Sequence, residues 1–175
     1  MELPVETFLF NLSLLSITFS AVSALVMLLR QTMGGKLSNF DVYLVNSYVA
    51  HGFILAIAAI LPSLIAQLGV SPTMVWTIAS LLTAVLIGAK ITNTMRQRKV
   101  AAKGAMPFAV KVSFALIWIA VPLLVANAVI PIVRGAGLFE LALTVNLAST
   151  MWSFVRRVST LVGDHRSADW DPNRG

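Results

Sequence analysis

Five long apolar runs separated by short polar segments organise the chain, at about 8–29, 42–61, 73–92, 108–133 and 138–155. A helix needs about 17–25 predominantly apolar residues to cross a bilayer, so each run predicts one crossing. The fifth is the shortest and is interrupted by Glu140 and Asn146. Helix punctuation falls between the runs. Gly34 and Gly35 close the first, and Ser38 with Asp41 has capping-box spacing ahead of the second. Ser71-Pro72 and Pro107 offer first-turn prolines for the third and fourth, and Gly135 and Gly137 allow a reversal before the fifth. The first run follows Glu2 and Glu6 instead of a basic segment, and reads as a span rather than a signal peptide.

Polar residues within the runs keep helical spacing. Ser13, Ser16, Ser20 and Ser23 form one stripe on the first helix. Thr73, Thr77, Ser80, Ala84 and Gly88 form another on the third, and Ala142, Asn146, Ser149 and Ser153 a third on the fifth. Lipid tails are as apolar as leucine, so membrane helices associate through close packing of small residues and interhelical hydrogen bonds. The stripes therefore predict packing seams at crossing angles of about 20°.

Composition identifies the solvent. Apolar residues make up 58% of the 175 and charged residues 11%, with a mean hydropathy of +0.85. Soluble domains are about 45–50% apolar and about 25% charged, so this much hydrocarbon calls for lipid. The fold class expected is all-α, a polytopic transmembrane bundle of five spans within 1–162, followed by a disordered polar tail at 163–175.

The net charge of +6 would suggest nucleic acid on a soluble protein, but its location argues against that. Twelve of the 13 Lys and Arg residues fall on one side of a five-span topology, leaving Arg134 alone on the other. The positive-inside rule then places the N-terminus outside and the C-terminus in the cytoplasm, in a bacterial-type inner membrane. The basic loop at 95–103 (MRQRKVAAK) offers Arg96, Arg98, Lys99 and Lys103 to anionic headgroups at the cytoplasmic face. Lys90 and Lys111 should snorkel toward the same surface. The fourth run, at 26 residues, would be about 39 Å long, which predicts tilt or a bend at Pro122.

Depth counting gives the candidate site. His51 lies halfway along the second run, and Thr18, Thr83 and Asn146 lie near the middle of theirs. These four make a candidate polar layer at the membrane midplane. Its plainer role is an interhelical hydrogen bond, worth about 0.6 kcal/mol on average. Its sharper role is a proton relay, ion-path residue or pH sensor. No Asp or Glu lies at that depth to partner an imidazolium. Glu140 sits in the first turn of the fifth helix, where it can offset the helix dipole and pair with Arg134. Asn127 is placed to cap or cross-link near the outer face.

Little catalytic chemistry is available. Without cysteine there is no disulfide, thiolate site or thiol nucleophile. The second histidine, His165, lies in the tail, so intramembrane bis-histidine haem ligation is excluded, and no metal-ligand spacing occurs within the runs. Neither a nucleophile elbow nor a phosphate-binding loop is present. No cofactor and no enzymatic activity are expected. The expectation is a non-enzymatic accessory, scaffold or sensor component that associates with itself or with a partner membrane protein. The alternative is a small oligomeric transporter or channel that uses His51.

Overall fold

The computed structural model describes residues 4–32, 39–101 and 108–169. All regular structure among them is helical: α1 Pro4–Thr32, α2 Asn39–Ala66, α3 Pro72–Ala101, α4 Phe108–Val129 and α5 Ala136–Asp169. Among the described residues four stretches are long and apolar enough to cross a membrane: Val5–Leu29, Val45–Ala66, Pro72–Arg98 and Ala136–Arg156. Phe114–Val129 within α4 is apolar but shorter.

Helix ends follow local chemistry where they are described. After α2, Gly69 takes a left-handed conformation (φ 71°), and its N–H returns to Ala66 O at 3.1 Å. Ser71 then caps α3, its Oγ 3.4 Å from Met74 N, with Pro72 in the first turn. The cap expected at Ser38 and the turns at Gly34, Gly35 and Pro107 lie outside the described residues.

α4 is shorter than its hydrophobic run. It ends at Val129 instead of 133, because Ile130 precedes Pro131 and is pushed away from helical geometry. Its 22 residues span about 33 Å, which removes most of the expected mismatch. α5 runs longer than its hydrophobic run. It stays helical to Asp169, through the first part of the segment expected to be disordered; residues 170–175 lie outside the description.

α1, α2, α3 and α4 pack in sequence, each against the next, and among the described residues α1 touches neither α3 nor α4. α5 touches all four and fills the concave side of that arc. Its Phe139, Ala142, Leu143, Asn146 and Leu147 are buried, together with Leu55, Ala59, Ala79, Ile87 and Leu124 from its neighbours. The outside is Leu, Ile, Val and Phe, while much of the inside is Ser, Thr, Asn and His. An outside this apolar is unlike that of a water-soluble domain and suits a hydrocarbon surround.

The α1–α2 seam shows how the small residues act. Ser13 Oγ donates to Ala56 O across the seam at 3.2 Å. Ser20 Oγ shares its proton between Ser16 O (3.0 Å) and Val49 O (3.3 Å). Gly52 lies between these contacts. A Cβ there would overlap Ser20 Oγ and come within 2.8 Å of Ser16 O. The serine hydroxyl can rotate away, but the α1 backbone carbonyl can yield only if the helices separate. Gly52→Ala should therefore destabilise the bundle by about 1–3 kcal/mol, as overpacking does. Adding Ser20→Ala should recover only part of that loss in a detergent-unfolding titration. Wild-type stability for Gly52→Ala would show that the seam is loose.

Candidate functional site

Depth alone does not place a side chain on the inner face of a helix, and the four residues of the expected midplane layer separate accordingly. His51 and Asn146 meet between α2 and α5, with His51 Nε2 and Asn146 Oδ1 2.5 Å apart. An amide oxygen can only accept, so the imidazole donates from Nε2. Asn146 is fully buried and His51 is 6% exposed, so the pair is closed off from the surround. Thr83 on α3 is also fully buried, but its Oγ1 has no hydrogen-bond partner. Asn146 Nδ2 is likewise buried without a partner. Thr18 does not join the layer. It faces outward, and its hydroxyl donates to Leu14 O at 2.9 Å.

Supports for the pair come from both ends. One turn toward the α2 N-terminus, Phe19, Tyr48 and Phe154 pack edge to face, with centroids 5.5 to 6.3 Å apart, joining α1, α2 and α5. Tyr48 OH lies 3.4 Å from Ser153 Oγ, a second polar tie between α2 and α5. Toward the other end, Trp76 of α3 packs on Phe139 of α5 with centroids 5.8 Å apart. Such aromatic pairs add about 0.5–1.5 kcal/mol beyond their buried area. They fix how α5 is rotated, and so where Asn146 points.

The α4–α5 corner has its own network. Asn127 Nδ2 donates to Ser80 Oγ at 2.8 Å, and Asn127 Oδ1 accepts from Gly135 N at 2.9 Å. One side chain thereby links α3, α4 and the turn leading to α5. Arg134 does not pair with Glu140 as expected. Its guanidinium donates to Ala128 O at 2.8 Å, capping carbonyls that α4 leaves free. Arg134 Nε and Glu140 Oε1 are both buried without a partner. Proximity along the chain favours an Arg134–Glu140 pair, but the free carbonyls of a helix end demand donors.

The basic residues gather at the opposite end. Tyr43 OH donates to Thr94 O at 2.6 Å, and Ser47 Oγ lies 3.4 Å from Thr94 Oγ1. These contacts set the start of α2 against the last turns of α3. Arg96 is exposed there, Arg98 is partly buried, and Lys99 follows on the same helix. Lys103 lies outside the described residues. On α5, the Arg156 guanidinium stacks on Trp152, 5.1 Å from the ring centre. Among the described residues no group of three or more His, Cys, Asp or Glu side chains could hold a metal ion.

Comparison with protein-family models, curated proteins and solved structures finds no match to this chain. Its chemistry must therefore be argued from its own residues. One residue that sequence reasoning passed over is Asn11, an exposed carboxamide on α1. Its place on the helix, opposite the serine stripe, was the available signal.

The His51–Asn146 bond can be measured. His51→Leu and Asn146→Leu should each destabilise the protein by about 1–3 kcal/mol, because each strands a buried polar partner. The double variant should lose less than the sum of the two. A coupling of about 0.6 to 1.7 kcal/mol is expected from a double-mutant cycle in detergent. Strict additivity would mean that the pair contributes nothing.

Proposed function

We propose that the protein is a five-span integral membrane protein with its N-terminus outside and its C-terminus in the cytoplasm. It acts as a non-enzymatic component, offering a helical body to neighbouring membrane proteins and a cationic end to anionic headgroups. The observation that carries this reading is the closure of the core around His51. The most deeply placed titratable side chain in the bundle is bonded to Asn146 and 6% exposed, so it serves assembly rather than an open cleft. The gathering of Arg96, Arg98 and Arg156 at one end supports the orientation, because cationic residues favour the cytoplasmic face. At that surface each basic residue adds about 1 kcal/mol of attraction to anionic lipid. A bacterial inner membrane fits the same bias.

A second reading, transport through the bundle, is favoured by one observation. Asn146 Nδ2 and Thr83 Oγ1 are buried without partners, which leaves the polar layer short of acceptors and donors that a passing ion or water could supply.

Two measurements decide between these readings. Cysteine is absent from the chain, so single cysteines at Glu2 and Ser167 can be labelled from either side of sealed vesicles without background. Glu2→Cys should label from outside and Ser167→Cys only after permeabilisation. Labelling of both from one side would overturn the five-span topology. In proteoliposomes, wild type and His51→Gln should both show no proton or ion flux above empty vesicles. A wild-type flux that His51→Gln abolishes would establish the transport reading and overturn the first.

A further inference from the structure

One outward stripe of α1 carries polar side chains among apolar ones. Thr7, Asn11, Leu14, Thr18, Ala21 and Leu25 recur at intervals of 4, 3, 4, 3 and 4, and all are exposed. At 3.6 residues per turn they share a narrow line on the helix surface. The buried face of α1, carrying Leu9, Leu12, Ser16, Phe19 and Ser23, lies on the opposite side. Larger apolar residues border the stripe: Phe10 and Ile17, 59% and 43% exposed, lie on one flank.

Thr18 needs nothing from outside, because its hydroxyl already donates to Leu14 O. Asn11 has no such outlet. Its carboxamide is exposed and has no hydrogen-bond partner among the described residues. It lies six residues into the candidate span Val5–Leu29, about 9 Å along the helix axis. An amide left facing hydrocarbon costs free energy that a hydrogen-bonded partner would remove.

We infer that α1 pairs with α1 of a second copy of this chain, parallel and about a two-fold axis, so that the two Asn11 amides hydrogen-bond across the seam. The reasoning for a second copy is chemical. A carboxamide carries both donors and an acceptor, so it is complementary to itself. Two copies inserted in the same orientation bring their Asn11 side chains to the same depth, and a two-fold axis faces them toward each other. The 4, 3 spacing is that of a heptad seam, in which a single asparagine favours a parallel two-stranded pair in one register. Thr7, Thr18 and Ala21 are small enough for the backbones to approach between the larger flanking residues. The serine seam of α1 against α2 is a separate face, so α1 serves both contacts. This inference rests on the placement of α1 in a membrane.

The test uses the full chain in vesicles, starting from its cysteine-free sequence. Leu14→Cys and Thr18→Cys should form disulfide-linked dimers under mild oxidation, whereas Phe10→Cys and Ile17→Cys should not. Energy transfer between labelled copies, followed as lipid dilutes the protein, should show Asn11→Leu weakening association on the order of tenfold. Asn11→Gln, which keeps the amide, should retain most of it. Because Asn11 faces outward, the unfolding midpoint of each variant should match wild type, separating lost pairing from lost folding. Equal cross-linking at the stripe and flank positions, no cross-linking at all, or unchanged association of Asn11→Leu would overturn the inference. So would Asn11-dependent capture of a different membrane protein without self-association. Labelling of the chain ends reports separately on the five-span topology, so failure of that reading and failure of the pairing are distinguishable.

Discussion

In hydrocarbon a polar side chain has no water to fall back on, and in this bundle that constraint decides which way each helix turns. Serines 13, 16, 20 and 23 line one side of α1, and that side is the one against α2. His51 turns toward α5 because Asn146 is there to accept its proton. The bond is individually modest, on the scale of about 0.6 kcal/mol typical of such contacts. Its weight comes from exclusivity, since an imidazole rotated toward lipid would have no partner. The aromatic trio of Phe19, Tyr48 and Phe154 then fixes the rotation that the bond selects.

The same constraint shows in α5, the least hydrophobic of the four long apolar stretches and the helix that touches all the others. Its Asn146, Ser149 and Thr150 lie on its buried side, away from the surround. α4 shows the converse. It contacts α3 and α5 alone, and its buried side chains, Ala120, Leu124, Asn127 and Ala128, form a single stripe. Phe114, Ile117, Val121 and Leu123 pack beside that stripe, partly buried.

Helix number, rough boundaries and the inward-facing serine stripe were legible in the sequence, because each leaves a local signature of run length, proline placement or spacing. The partnership of His51 with Asn146 was reachable from depth counting, since both sit near the middle of their helices. Thr18 passed the same count and faces outward, because depth gives a coordinate along the axis but none around it. Comparing its position with Ser16 and Ser20 on the helix surface would have separated them. The end of α4 was missed because hydropathy does not register the backbone restriction that Pro131 imposes on Ile130. Arg134 was assigned to Glu140 on charge, whereas the free carbonyls at the end of α4 had the nearer claim.

The central position of α5 also bears on biogenesis. α5 is the last of the five helices in chain order, so α1 to α4 are made before it. Until it packs, His51 has no Asn146, whereas Ser80 can already accept from Asn127 of α4. α1 and α2 can zip together early through Ser13, Ser20 and Gly52, but the half-built arc holds an unshielded polar lining.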